Sequence, residues 1–380
     1  MLNVLLAVAL VLHWVGTWAS APVWADPKAT FTDVTLREVI HTSIGGTRVR
    51  VRFSNSFGES PLEIERASIA VRSSGAGTSG VPTALMFQGR RTIVVPPGAQ
   101  VLSDPLDLRV PARSDLAISI YLPGPTGPPT THILAFQTNY AAQGDHVMDT
   151  SGAAFTTTST QWYFLSGVDV ATTRAAGSIV AFGDSITDGA RSRTDENGRW
   201  PDVLASRAHG VGVLNAGISG NRILLDGGHY GVNALARFDR DVLAQTGVRS
   251  MIVLLGVNDI QQQPHQLDPV QIETGLLQIA TQAHQHGLKI MVGTIMPIEG
   301  SYSYFPEIEA TRQAVNAFIR ASRVFDGIVD FDKAMRDPSD PHRLLPAYDG
   351  GDHLHPSPKG LRVMGELVYK DAVRSGLVAI

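Results

Sequence analysis

The sequence of 380 residues contains no cysteine. Disulfide bonds, thiolate catalysis and cysteine-ligated zinc are therefore excluded, although this absence does not identify a cellular compartment. Long basic runs are also missing, and 31 Lys and Arg residues stand against 35 Asp and Glu residues, for a net charge of −4. A nucleic-acid partner is therefore not expected.

Apolar runs long enough to span a bilayer are missing as well, so no stable membrane span is predicted. The apolar run Leu5–Leu12 has the length of a signal peptide, and the small residues of "ASAPVWA" (19–25) suit cleavage. These features predict a leader over residues 1–25 and a secreted or periplasmic protein. A positively charged start is absent, and a buried first strand is the alternative.

The chain has 43% apolar and 17% charged residues, as globular proteins do, and its length favours two domains. In "TRVRVRFSNS" (47–56), Val49, Val51 and Phe53 alternate with arginines, which is typical of a half-buried strand. Similar short runs, separated by Gly, Pro and Ser, continue without a convincing helix. Residues 26–170 are therefore predicted to form an all-β, jelly-roll-like sandwich.

After a possible hinge at residues 171–177, apolar strands alternate with amphipathic helices. The strand candidates "SIVAF", "GVLNA", "SMIVLLG", "KIMVGTI" and "GIVDF" are rich in Val and Ile. This alternation predicts an α/β domain over residues 176–380, with a parallel sheet between helices. Ligands and reacting groups in such domains gather beyond the carboxyl ends of the strands.

Polar turns follow three of these predicted strands. The first strand ends in Gly183, Asp184 and Ser185, and the next two lead into "NAGISGNR" (215–222) and "GVND" (256–259). Each of these turns alone is most simply a strand end, and Asp184 is most simply a helix cap. Because parallel strands end at one rim, we expect the three turns to meet there.

A base for Ser185 occurs near the C-terminus, where Asp352 precedes His355 by three residues in "YDGGDHLHPSPKG". A serine hydroxyl needs a base, and a histidine of pKa about 6.5 can take and return its proton. Asp352 can orient that imidazole by accepting its second N–H. Ester attack also needs donors for the developing oxyanion, and we expect the N–H groups of Ser185 and Gly220 and the side-chain amide of Asn258 to supply them.

The blocks "GDSITDG", "GISGN", "GVND" and "DHLH" occur in the order and approximate spacing of the SGNH hydrolases, or GDSL esterases and lipases, which this chain resembles from about residue 178 to its end. The resemblance implies a flavodoxin-like sheet and a serine esterase mechanism without metal or cofactor. It places the nucleophile at Ser185, the donors at Gly220 and Asn258, and the acid and base at Asp352 and His355. The N-terminal part resembles the β-sandwich of a secreted subgroup of this family.

These features predict a serine hydrolase of short acyl esters, with acetyl esters as the expected class, on a small molecule or a glycan. A lipase or thioesterase with a longer acyl pocket and a non-catalytic carbohydrate-binding protein are the alternatives. The pair His353 and His355 suggests metal ligation as a competing interpretation, but no second cluster of ligands is evident. Trp14, Trp18 and Tyr140 could stack on a sugar, although packing within the sandwich is the simpler interpretation.

Overall fold

A computed structural model of the protein describes residues 12–173 and 175–378. Antiparallel strands form the first half of the chain. The strands are β1 (His13–Ala19), β2 (Val23–Trp24), β3 (Val34–His41), β4 (Arg48–Ser54), β5 (Leu62–Ile64), β6 (Arg66–Val71), β7 (Thr83–Ala84), β8 (Ile93–Val95), β9 (Gln100–Leu102), β10 (Asp115–Leu122), β11 (Thr130–His132), β12 (Asn139–Gln143), β13 (Thr157–Ser159), β14 (Trp162–Tyr163) and β15 (Leu165–Thr172).

Two of their sheets, in the orders β1-β15-β4-β9 and β13-β12-β3-β10-β6-β7, enclose one apolar core. The alternation read in β4 directs Val49, Val51 and Phe53 into that core, while the arginines between them are half-buried. Side chains of two sheets that interdigitate in this way make a β-sandwich. The predicted all-β fold of this region is therefore confirmed.

The sandwich begins earlier in the chain than its predicted start at residue 26. Strand β1 pairs with β15, and β2 pairs with β11, so both strands are hydrogen-bonded into the folded domain. The sequence was misleading here because small and apolar residues suit a leader and a buried strand equally well. Residues 1–11 of the predicted leader lie outside the described residues, and export stays a prediction.

An α/β domain forms the second half of the chain. Its strands are β16 (Ser178–Gly183), β17 (Gly212–Gly217), β18 (Val248–Leu254), β19 (Lys289–Gly293) and β20 (Gly327–Val329), and its helices are α1 (Ser185–Asp188), α2 (Trp200–Arg207), α3 (Ala234–Phe238), α4 (Val257–Gln261), α5 (Pro269–Gln285), α6 (Pro306–Ala321), α7 (Phe331–Met335) and α8 (Pro358–Arg374). Within residues 12–173 and 175–378, no helix is long and apolar enough to cross a membrane.

The five strands of this domain form a parallel sheet in the order β17-β16-β18-β19-β20. This is the flavodoxin-like order, and it confirms the predicted fold class. The strand order reverses at β16, so the chain leaves the sheet in opposite directions on the two sides of this strand. Such a switch point opens a crevice at the carboxyl end of the sheet, and Ser185 follows β16 there.

The two domains are joined closely along β1 and β17. The Gly16 N–H donates to the Thr246 carbonyl at 2.9 Å, and the Val213 N–H donates to Ser43 Oγ at 3.0 Å. A Cβ on Gly16 would lie 2.8 Å from Leu214, so only glycine allows this approach without a shift. The sandwich is therefore packed directly against the outer strand of the parallel sheet.

Candidate active site

Ser185 lies at the first position of the short helix α1, directly after β16. Asp184 is the cap of that helix, and its Oδ1 accepts from the Ile186 N–H at 3.0 Å. A Cβ on Gly183 would lie 2.1 Å from Thr187 Oγ1, so the tight turn from strand to helix requires glycine. The local sequence therefore fixes Ser185 at the carboxyl end of the sheet with 8% of its surface exposed.

The structure brings Ser185, His355 and Asp352 into one hydrogen-bonded chain. Ser185 Oγ lies 2.8 Å from His355 Nε2, and His355 Nδ1 lies 2.8 Å from Asp352 Oδ2. The other carboxylate oxygen, Oδ1, accepts from the His355 backbone N–H at 2.8 Å. Asp352 thus holds both the backbone and the ring of His355, and an Nδ1–H tautomer leaves Nε2 free to accept the serine proton.

Arg191 adds a cation that the sequence analysis missed. Its Nε and Nη2 donate to Asp352 Oδ2 at 3.1 and 2.8 Å. Burial would raise the pKa of Asp352, but the hydrogen bonds from His355 and Arg191 outweigh it and hold that pKa well below its usual range. The carboxylate therefore stays charged beside the imidazole at neutral pH.

Gly220 and Asn258 follow β17 and β18, the two strands that flank β16 in the sheet. Gly220 follows β17 with φ of +81°, and a Cβ there would lie 2.4 Å from the Tyr230 ring, so glycine is required on both grounds. Asn258 lies in α4, after β18, and its Nδ2 donates to the Asn221 carbonyl at 3.1 Å. An amide nitrogen carries two hydrogens, so this bond leaves the second available for another acceptor.

We refer to residues 218–224 as the Gly220 loop. Asp188 Oδ2 accepts from the N–H of Ser219 at 3.0 Å and from its Oγ at 2.7 Å. Asp259 accepts from the N–H groups of Ile223 and Leu224 at 2.9 and 3.0 Å. Burial raises the pKa of Asp259 to about 6. Buried carboxylates thus anchor both ends of the loop that contains Gly220.

Arg237 holds the strand ends beneath this loop. Its buried guanidinium donates to the carbonyls of Gly183 and Ala216 at 2.9 and 2.8 Å and to Asn221 Oδ1 at 3.0 Å. Burial lowers the pKa of Arg237 to about 10, so it remains charged at neutral pH beside Asp241. No motif in the sequence indicates this role, because Gly183, Ala216 and Asn221 lie 54, 21 and 16 positions from Arg237 along the chain.

Asp184 makes no hydrogen bond to the side chains of Ser185, His355 or Asp352 in the described part of the chain. Its Oδ1 caps α1, while its Oδ2 has no hydrogen-bond partner among the described residues. Burial raises the pKa of Asp184 to about 7. The structure therefore supports the interpretation of this residue as a cap.

His353 and His355 form hydrogen bonds with different side chains. Its Nδ1 lies 2.5 Å from Asp349 Oδ2, whereas both ring nitrogens of His355 contact Ser185 and Asp352. In the described part of the chain, no three His, Asp or Glu side chains are grouped so that they could hold a metal ion. The described residues therefore provide no set of metal ligands around His353 and His355.

Comparison with known proteins places the α/β domain among the carboxylic ester hydrolases. Residues 181–363 match the model of the GDSL-like Lipase/Acylhydrolase family. The α/β domain of this chain belongs to that family, as the four sequence blocks predict. No curated protein matches the sequence.

Several solved structures are similar to about half of this chain. They include a G-D-S-L family protein from Desulfitobacterium hafniense, at 21% identity over 51% of this chain and 98% of that chain, with a TM-score of 0.41. A GDSL-like lipase from Bacteroides thetaiotaomicron has 20% identity over 52% and 88%, with a TM-score of 0.39. A mutant of an acetyl-xylooligosaccharide esterase from Geobacillus has 22% identity over 52% and 94%, with a TM-score of 0.40.

Proposed function

We propose that Ser185 is the nucleophile of an esterase for short acyl groups, with His355 as its base and Asp352 as the group that orients the base. The observation that carries this proposal is the continuous hydrogen-bonded chain from Ser185 Oγ through His355 to Asp352, with both links at 2.8 Å. Such a chain activates a hydroxyl that is otherwise a weak nucleophile at neutral pH.

In this mechanism Ser185 Oγ attacks the ester carbonyl while its proton passes to His355 Nε2. The imidazolium formed is stabilised by Asp352, which Arg191 and the loop backbone keep ionised. The N–H groups of Ser185 and Gly220 and the amide of Asn258 donate to the tetrahedral oxyanion. His355 then returns the proton to the leaving alcohol, and a water, activated by the same histidine, releases the acid from the acyl-serine.

The preference for short acyl groups is supported by a small, mostly apolar pocket that is lined by chain neighbours of Ser185 and His355 and not by these two residues themselves. Its lining includes Ile186 and Leu354, the chain neighbours of Ser185 and His355, together with side chains from the ends of β18 and β19. The pocket has a volume of about 10 Å³. That volume is about what one water molecule needs, so it suits a methyl group and not an alkyl chain.

A glycan-borne substrate is supported by a groove between the sandwich and the 3₁₀ turn Gly228–Tyr230, with a volume of about 470 Å³. Its lining combines aromatic and polar side chains, among them Trp24, Asp26, Gln161, Tyr163 and His229. Trp24 is 39% exposed, while Phe57 lies 4.2 Å from its ring. The His229 ring contacts Tyr230, whose ring packs against Gly220, so one side chain separates the groove from this proposed oxyanion donor.

The three aromatic residues singled out in the sequence do not line this groove. Trp18 is buried against Trp162, with ring centroids 4.9 Å apart, and Trp14 lies under the Arg50 guanidinium. Tyr140 packs beside a small internal cluster of the sandwich. Packing accounts for all three, and the exposed Trp24 replaces them in the proposal as the residue that could stack on a sugar.

The experiment compares wild type with Ser185→Ala on p-nitrophenyl esters of two to twelve carbons and on acetylated xylan. We expect hydrolysis to be fastest for acetate, and the variant to lose nearly all turnover at an unchanged melting temperature. A fluorophosphonate should label wild type but not Ser185→Ala. Turnover that survives in the variant would contradict the mechanism, and a maximum at eight carbons or more would favour the lipase alternative.

A further inference from the structure

His132 lies on β11 of the sandwich and reaches across the domain boundary into the α/β domain. Its Nε2 lies 2.9 Å from Asp188 Oδ1, and its Nδ1 lies 2.8 Å from the Ala21 carbonyl. The Ala21 carbonyl can only accept, and so can Asp188 when it is ionised, so with an ionised Asp188 both ring nitrogens donate and the ring is an imidazolium. Burial would lower the pKa of His132, but the charge and hydrogen bonding of Asp188 outweigh it and raise that pKa.

Asp188 links this histidine to the Gly220 loop. It lies at the end of α1, three residues after Ser185, and its side chain is almost fully buried. While Oδ1 contacts His132, Oδ2 accepts from both the N–H and the Oγ of Ser219. Ser219 directly precedes Gly220. A chain of buried and partly buried hydrogen bonds therefore runs from the sandwich to the residue before the proposed oxyanion donor.

We propose that His132 is a positioning residue for ester hydrolysis, which acts through Asp188 and Ser219 to fix the direction of the Gly220 N–H. The inference rests on the proposed function, because it assigns Gly220 as an oxyanion donor. It gives the sandwich domain a part in the reaction that is separate from any contact with substrate.

The physical reason is the cost of leaving Asp188 without its partner. Without His132, Oδ1 would be a buried charged acceptor with no donor, which is a costly arrangement. The carboxylate would then rotate toward solvent or take up a proton, and either change weakens its two bonds to Ser219. Oxyanion donors act only when they are fixed in advance, so a small displacement of Gly220 is felt mainly in the transition state.

The test compares an aryl acetate with the matching aryl thionoacetate, whose thiocarbonyl sulfur is a poor hydrogen-bond acceptor and gains little from oxyanion donors. For His132→Ala we expect kcat on the acetate to fall by about 10- to 100-fold, a part of the loss typical for a whole donor. The KM should change little, and the acetate-to-thionoacetate ratio should fall at least several-fold. His132→Gln, which keeps an N–H near the Nε2 position, should recover part of that ratio.

Thr246→Val is the matched control, because Thr246 also lies at the domain boundary. Its Oγ1 accepts from Arg52 at 3.1 Å and donates to Asp169 at 2.7 Å, away from the Gly220 loop. This variant should leave the ratio unchanged. If His132→Ala fails to fold, Ser219→Ala applies the same test, since it removes one bond to Asp188 and should lower the ratio in the same direction.

Equal losses on both esters, or an unchanged ratio in folded His132→Ala and Ser219→Ala, would overturn the inference and leave His132 a purely stabilising residue. Failure of the proposed function looks different, because wild type would then hydrolyse neither ester. Circular dichroism and thermal unfolding on each variant separate loss of fold from loss of positioning.

Discussion

Ser185 and the Gly220 loop are held from within the core, whereas Asp352 and His355 lie on a half-exposed loop near the C-terminus. On the first side, buried charges hold the backbone: Asp188 and Asp259 bind the two ends of the Gly220 loop, and Arg237 binds the strand ends below it. Buried polar groups that lose a partner cost stability as well as geometry. Substitutions that remove one of these buried charges or its partner should therefore affect folding and turnover together.

The loop that contains His355 is stabilised mostly by hydrogen bonds between its own residues. The Gly350 N–H donates to the His355 carbonyl at 2.8 Å, and Asp349 Oδ1 accepts from Gly351 and His353 at 2.8 and 3.1 Å. These bonds are exposed or partly exposed, so each contributes little to the free energy of unfolding. Substitutions on this side should lower turnover while the protein remains stable, and the following experiments test that difference.

The largest effect is expected for His355→Ala. Members of a triad act as a unit, so kcat should fall by about 10⁴-fold or more, while the free energy of unfolding changes by less than about 1 kcal/mol. His353→Ala is the matched control, since that ring contacts Asp349 and not Ser185, and it should cost much less. Equal losses in the two variants, reversed by added zinc or manganese, would instead favour a metal site.

Asn258→Ala, on the core side, should lower both turnover and stability, whereas His355→Ala should lower turnover alone. Loss of one oxyanion donor lowers kcat by about 10²- to 10³-fold. The same change leaves Gln261 Nε2 and the Asn221 carbonyl without their partner, so the free energy of unfolding should fall by about 1 to 3 kcal/mol. Urea unfolding beside steady-state kinetics checks both values. A large loss of turnover at unchanged stability would mean that the core side does not differ from the loop of Asp352 and His355 in this respect.

Arg191→Gln should give a smaller loss, of roughly 3- to 10-fold in kcat, because Asp352 keeps its bonds from the His355 backbone and ring. Stability should hardly change, since the Arg191 side chain is 50% exposed. Arg193→Gln, whose partner Glu196 lies 3.5 Å away on the surface, is the control and should behave as wild type. A loss as great as that from His355→Ala would mean that Arg191 has a role beyond orienting Asp352.

Asp184→Asn should leave turnover almost unchanged and alter the pH dependence of stability. Because the pKa of Asp184 is raised to about 7 in the folded protein, the folded state binds more protons than the unfolded state between about pH 4 and 7. Wild-type stability contains a contribution that falls as pH rises through this window. The stability of the variant relative to wild type should therefore increase from pH 5 to pH 8, by on the order of 1 to 4 kcal/mol in urea unfolding. A constant difference would contradict the raised pKa.

The sequence was most informative where function follows local pattern. The strand ends were readable because buried parallel strands are short apolar runs, and the polar residues that follow them must share one rim. That reasoning selected Ser185, Gly220 and Asn258, and the close spacing of Asp352 and His355 supplied the other two candidates. The structure brings Ser185, Asp352 and His355 into contact and ties Asn258 to the loop of Gly220.

The residues that support this site were not readable. Arg191 is 161 positions from Asp352, and His132 is 56 positions from Asp188, so neither pair has a spacing or periodicity that indicates contact. An isolated arginine or histidine has many ordinary surface roles, and only the folded chain shows which one has an acidic partner. The start of the sandwich was missed for another reason, since leader segments and buried strands draw on the same small and apolar residues.

The packing of β1 against β17 also has a consequence for fragments that contain only one of the two domains. Strand β17 is the outermost strand of the parallel sheet, and its Val213 N–H donates to Ser43 of the sandwich. The Gly16 carbonyl approaches so closely that a Cβ on Gly212 would lie 2.1 Å from it. An uncovered edge strand is a template for pairing with other chains. A fragment that begins at residue 175 should consequently self-associate, and the intact chain should unfold in one cooperative transition despite its two cores.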